Sequence, residues 1–142
     1  MNLTEPQLTF LQNNRSAAMI TIARDGTPKV ARVGLALVDG RLWSSGTQNR
    51  TRTARLRRDP RCTLYVPDAA WRWLALETMV SILEGPDVPM QQVRMFRQMQ
   101  NRPTGNLDWF GKVLSEEEFV RMMEQDGRLI YEFEITRCYG MV

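Results

Sequence analysis

The sequence predicts a mainly β protein with helices: a small antiparallel barrel of six strands, closed or half-open. Three observations carry that expectation. Two Asp-Gly pairs, Asp25-Gly26 and Asp39-Gly40, punctuate runs of strand-favouring residues near the start of the chain. Between Arg128 and Arg137, Leu129, Tyr131, Phe133 and Ile135 alternate with Arg128, Ile130, Glu132, Glu134 and Thr136, the period of a half-buried strand. Capping signatures at Thr4 and Ser115 set helices apart from these strands.

The elements follow in order. Thr4, followed by Glu5, Pro6 and Gln7, reads as an N-cap with a capping-box partner and an early proline, so a short helix runs through Leu8 and Leu11. Ala17 to Arg24 is a strand that reverses at Asp25-Gly26, and Lys29 to Val38 returns. After Asp39-Gly40, Arg41 to Ser45 is the third strand, giving an N-terminal meander whose register the turns set. Asn49 caps a short helix through Arg58, which stops at Asp59-Pro60 because the residue before proline disfavours helical geometry. Arg61 to Val66 is the fourth strand. Trp71 to Glu84, after the Pro67-Asp68 turn, is a long fifth strand ended by Gly85-Pro86. Pro89 to Gln100 and Ser115 to Gln125 are helices, the second with Glu118 as capping-box partner and Gly127 as its stop. Asn101 to Gly111 is the least regular stretch and is placed as a surface loop.

At 142 residues and 43% hydrophobic composition, one domain spanning 1–142 with a continuous core is expected. Met1 to Asn14 lacks the basic start and apolar run of a secretory signal, so the expected location is cytoplasmic. Apolar stretches such as Ala17 to Ala23 fall short of the roughly 20 residues that span a bilayer. Cys62 and Cys138 fit no metal-ligand or redox spacing and read as reduced apolar residues. Histidine is absent, which removes the usual general base, the commonest zinc ligand and every imidazole-dependent triad. Catalysis therefore falls to a cofactor rather than to unaided carboxylates, and no catalytic side chain or metal ligand is assigned.

The net charge of +3 is unevenly spread, with Arg50, Arg52, Arg55, Arg57, Arg58 and Arg61 crowded into one short stretch. A strand ending in Ser44-Ser45-Gly46-Thr47 delivers hydroxyls and backbone N–H groups to a helix N-terminus carrying Arg50 and Arg52. Those are the ingredients of a phosphate cradle. Arg52, Arg55 and Arg58 recur at three-residue spacing, a cationic stripe suited to a phosphate with an extended anionic tail. The residues alone leave open a solvated helix whose arginines pair with surface acids. Nucleic acid is disfavoured because Trp71, Trp73 and Trp109 do not interleave with the basic run.

From about Arg15 to Leu83, and again from Arg128 to Gly140, the chain resembles the pyridoxamine 5'-phosphate oxidase-like split-barrel proteins, especially the B-type subgroup of oxidoreductases that use the deazaflavin coenzyme F420. The resemblance lies in Asp25-Gly26-Thr27-Pro28, the Leu42 to Arg52 strand and turn, Leu56-Arg57-Arg58-Asp59-Pro60-Arg61, Trp71, Glu77 and Tyr139-Gly140. It implies an FMN-binding-type split barrel in which a strand-end hydroxyl and a basic residue early in the next helix hold the cofactor phosphate. These roles fall on Ser45, Thr47 and Arg52, with Arg50, Thr53, Arg55 and Arg58 beside them. Arg52 stands where the family usually has lysine. Arg32 falls where relatives line the ring pocket, and Trp71 matches a tryptophan that crosses a homodimer interface toward the neighbour's cofactor. The implied function is hydride transfer from reduced F420 to an electron-poor conjugated small molecule. The alternatives are an FMN-binding relative and a non-catalytic F420 carrier.

Overall fold

Local signals near the N-terminus act as expected in the computed structural model, which describes residues 3–142. Helix α1 (Glu5–Asn13) opens on Thr4 with both capping-box hydrogen bonds and a proline in its first turn. Strands β1 (Ser16–Ile22) and β2 (Pro28–Gly34) pair antiparallel from Ser16↔Gly34 to Ile22↔Pro28, across a turn in which Asp25 accepts the Thr27 N–H at 2.9 Å. Strands β3 (Ala36–Val38) and β4 (Arg41–Thr47) pair across Asp39 and Gly40, whose φ angles of 52° and 77° make the primed turn that strand twist favours.

The expected single strand from residue 29 to 38 is thus two strands. The break falls at Leu35, whose N–H to the Arg15 carbonyl at 2.8 Å is the last bond of the β1–β2 pairing before β3 turns to β4. Helix α2 (Thr51–Arg58) is followed by β5 (Arg61–Pro67), β6 (Trp73–Leu83), α3 (Val88–Gln100), β7 (Leu107–Trp109), β8 (Lys112–Leu114), α4 (Glu116–Gln125) and β9 (Arg128–Met141). The main sheet runs β2-β1-β5-β6-β9-β4-β3, so the break at Leu35 sends β2 and β3 to opposite edges. The N-terminal strands form two separate hairpins and not a meander. Seven strands, where six were expected, curl into a half-barrel, the split-barrel form.

Other boundaries shift for local reasons. Arg50, not Asn49, precedes α2, and no side chain caps that helix. Asn49 instead accepts the Thr47 hydroxyl at 2.9 Å. The stretch 101–111 is not simply a surface loop: β7 pairs with β8, and Leu107 and Trp109 are buried while Phe110 and Gly111 turn with positive φ. β9 keeps its alternation to Ile135. A bulge then leaves Thr136 without a pair, since Glu77 faces Arg137 and Thr78 faces Ile135, and the phase of the strand inverts beyond it.

Three apolar clusters hold these layers. Inside the barrel, Met19, Leu64, Leu74, Leu76, Leu129 and Phe133 pack together. On the outer face of β3, β4 and β9, Val38, Trp43 and Ile130 meet Val88 and Met95 of α3. Phe119 and Met123 of α4 then pack on Val93, Leu107 and Trp109. Each such side chain contributes about 1.5–3 kcal/mol on burial. Among the described residues no helix is long and apolar enough to cross a membrane, and no cluster of three or more Cys, Asp and Glu forms a metal-binding group.

Candidate functional site

The strand register decides which hydroxyls are available. β4 alternates about its plane, so Leu42, Ser44 and Gly46 face the barrel while Trp43, Ser45 and Thr47 face out. Gly46 is required here: a Cβ would overlap the Tyr131 ring. On β9, Ile130 lies opposite Ser45 and Arg128 opposite Thr47, which places Ser45, Thr47 and Arg128 on one outer face. The chain leaves β4 at Thr47 and enters α2 directly, bringing Arg50 and Arg52 to the same place.

A cleft of about 410 Å³ opens there. Its barrel side carries Arg32, Ser45, Arg50, Arg52 and Arg128, and its opposite wall carries Phe96 and Met99 of α3 with Trp109 and Phe110 of the β7–β8 hairpin. A second lobe of about 490 Å³ adjoins it through Arg50 and Arg52 and adds Thr47, Asn49, Thr51 and Arg55. Among the described residues, Asp108 is the only carboxylate lining either lobe, and it is paired with Arg102 at 3.1 Å. The cleft is therefore strongly cationic.

Three buried polar atoms around it have no hydrogen-bond partner: Ser45 Oγ, Arg52 Nε and Arg128 Nε. Buried polar groups are nearly always satisfied in folded proteins, so a set of orphans on one cleft makes it the candidate site. Arg52 also lies over the Tyr131 ring at 5.9 Å. The Arg128 guanidinium sits 4.7 Å over the Trp109 ring. Burial lowers the Arg128 pKa; Asp126 pulls it back up, while Arg50 and Arg52 press it down further.

Not every residue marked in the sequence comes here. Arg32, Ser45, Arg50 and Arg52 line the main cleft, and Thr47 and Arg55 the second lobe. Thr53 lines neither lobe. It is fully buried, its hydroxyl donating to the Thr47 carbonyl at 2.7 Å and meeting the Tyr131 hydroxyl, so it ties α2 to β4 and β9. Arg58 leaves the cationic stripe to donate to the Ile22 carbonyl, because α2 turns that side toward β1. Arg57 pairs with Glu84 at 2.9 Å and Arg61 with Asp59 at 2.8 Å. Half of the six-arginine run is thus occupied by neighbours. Trp71 is 88% exposed in the β5–β6 connection and lines neither lobe.

Sequence reasoning missed Arg128 and the aromatic wall. One sign was present: Ile130 sits in the polar phase of β9, which is anomalous unless that face is covered, and α3 covers it.

The donor set fits a phosphate-bearing flavin-type cofactor, since guanidinium forks and a free hydroxyl face an aromatic wall. Comparison with solved structures gives the same architecture. A conserved hypothetical protein of Mycobacterium tuberculosis superposes with a TM-score of 0.75 at 22% identity, over 99% of this chain and 86% of that one. An F420 reductase gives 0.72 at 17% identity, over 96% and 98%. A FAD-binding protein of Mesorhizobium loti gives 0.68 at 17%, over 97% and 94%. No curated protein matches the sequence. The family model described as pyridoxamine 5'-phosphate oxidase matches residues 3–140, nearly the whole chain, and with the split barrel already in view the protein belongs to that family.

Proposed function

We propose that the chain is an F420-dependent oxidoreductase of the B-type subgroup, which passes a hydride from the reduced deazaflavin to an electron-poor conjugated small molecule. The observation that supports this most is the convergence of Ser45 Oγ and Arg52 Nε, both buried without partners, on an aromatic-walled cationic cleft. When bound, the cofactor supplies the hydride chemistry that a chain without histidine has no side chain to perform. The protein's own part is binding, orientation and exclusion of water. Ser45, Thr47 and the Arg50 and Arg52 guanidiniums would hold the phosphate, Arg55 would meet the anionic tail from the second lobe, and Arg32, whose Nε donates to Ser16 Oγ at 3.0 Å, would flank the ring. Phe96, Met99 and Trp109 would shield the ring side, with exposed Phe110 at the rim.

FMN is the second reading, and the position of Arg58 favours it: the stripe offered to a long tail ends at Arg55. A carrier that holds F420 without turnover uses the same residues. The proposal includes a single-domain cytoplasmic homodimer. Its support is an outer sheet face that carries Val30, Tyr65, Trp73, Tyr139 and Met141, where Trp73 pairs with Met141 and Tyr65 and Tyr139 flank Ala75, with exposed Trp71 nearby.

Purification from an F420-producing host, followed by absorbance and mass spectrometry of the bound chromophore, tests the cofactor. Bound F420 supports the first reading and bound FMN the second. Failure to bind either in direct titration refutes both. Single-turnover oxidation of bound reduced F420 by conjugated acceptors separates enzyme from carrier, and sedimentation at micromolar concentration tests the dimer.

A further inference from the structure

Arg128 is an ill-matched charge within its surroundings. Its side chain is only 10% exposed, yet the usual reasons for burying a guanidinium are weak. Asp126 Oδ2 lies 3.5 Å from Nε and leaves that N–H without a hydrogen bond. Asp108 across the cleft is engaged by Arg102. The neighbouring charges that act on it include Arg50 and Arg52, both of its own sign. A buried cation beside two others destabilises a fold unless an anion joins them.

We propose that Arg128 is an anion-binding residue of this cleft, acting with Arg50, Arg52 and the Ser45 hydroxyl to hold a multiply charged phosphate group. The geometry supplies both placement and restraint. The β4–β9 register sets Arg128 directly across from Thr47 and on the face of Ser45, while Trp109 packs against the guanidinium from the hairpin side. Its Nε is one of the three orphaned donors around the cleft, and an anion is the partner such a donor accepts. The inference rests on the cofactor reading only for the owner of the phosphate.

Calorimetric titration of the whole protein with inorganic pyrophosphate, F420 and FMN tests it, using the wild type, Arg128→Met and Arg128→Lys. Arg128→Met is expected to weaken pyrophosphate binding by about tenfold or more, and Arg128→Lys by less. The ligand-free melting temperature of Arg128→Met is expected to stay level or rise, because the substitution removes a repelled buried cation; a packing residue would lower it. Wild-type pyrophosphate affinity in Arg128→Met overturns the proposal, as does a wild type that binds no pyrophosphate. If Arg128→Met does not fold, Arg128→Lys with unaltered affinity and salt dependence overturns it equally. A wild type that binds pyrophosphate through Arg128 but neither F420 nor FMN upholds Arg128 and refutes the cofactor reading.

Discussion

Replacing Thr53 with valine separates a ligand-binding hydroxyl from a structural one. Valine keeps the branched shape, so the change removes one oxygen and little volume. Two groups lose that oxygen. The Thr47 carbonyl keeps a long bond from the Arg50 N–H at 3.4 Å, so most of the penalty falls on the Tyr131 hydroxyl, which is buried inside the barrel. An unpaired buried polar group costs about 1–3 kcal/mol. Urea unfolding is therefore expected to show Thr53→Val destabilised by about 1–3 kcal/mol with an unchanged m-value. Adding Tyr131→Phe removes the stranded hydroxyl, and the double variant is expected to lose less than the sum of the single changes. Cofactor affinity is expected to fall only slightly, through looser seating of Arg50 and Arg52. Unchanged stability with a large loss of affinity would refute this reasoning and return Thr53 to the site.

Gly46→Ala is expected to destabilise the barrel by about 1–3 kcal/mol in chemical denaturation, because a Cβ there overlaps the Tyr131 ring inside a packed core. Hydrogen bonding from Arg61 holds the Asp59 carboxyl at about 2, below its ordinary 3.8. A depressed acid pKa stabilises the fold above the unfolded value and ceases to do so as pH falls from about 4 toward 2, so Asp59→Asn is expected to flatten acid unfolding in that window. Burial pushes the Cys62 thiol up to about 12 and also raises that of half-buried Cys138. A thiol reagent at pH 8 is expected to label Cys138 first and Cys62 only on unfolding; the folded state keeps the Cys62 proton, so stability falls as pH rises from about 9 toward 12.

Elements with a self-contained chemical signature were legible in the sequence. Thr4 with Gln7 and Ser115 with Glu118 form the capping boxes their spacing implies, and the Asp-Gly pairs make hairpins. Elements set by distant partners were not. Leu35 carries no breaker signal; the strand divides where its pairing with β1 runs out, the last bond running from the Leu35 N–H to the Arg15 carbonyl, and where β3 takes a different partner in β4. The short β7–β8 hairpin was unreadable for a related reason: three residues per strand are too few to show a period, and its order comes from Leu107 and Trp109 packing on α3 and α4.

The site divides along the same line, and its electrostatics show why. Spacing placed Ser45, Thr47, Arg50, Arg52 and Arg55 together because strand end and helix start are contiguous in the chain. Spacing put Arg58 in one stripe with Arg52 and Arg55, yet the Ile22 carbonyl occupies it, while Glu84 and Asp59 hold Arg57 and Arg61 of the same run. What sets the Arg52 and Arg128 Nε groups apart from Arg57, Arg58 and Arg61 is that no well-placed acceptor of the protein meets them, a property of the folded surroundings and not of the residue. Arg128 enters the cleft from a different strand, dozens of residues downstream, through the β4–β9 register alone. Three arginines drawn together with the nearby carboxylates engaged elsewhere or poorly placed oppose folding, and the apolar clusters on both sides of β4 and β9 must outweigh that repulsion. An anion entering the cleft removes the repulsion and fills the orphaned donors at once. Ligand binding is therefore expected to stabilise this protein more than the same contacts would on a neutral surface, with a gain that shrinks as salt screens the cluster.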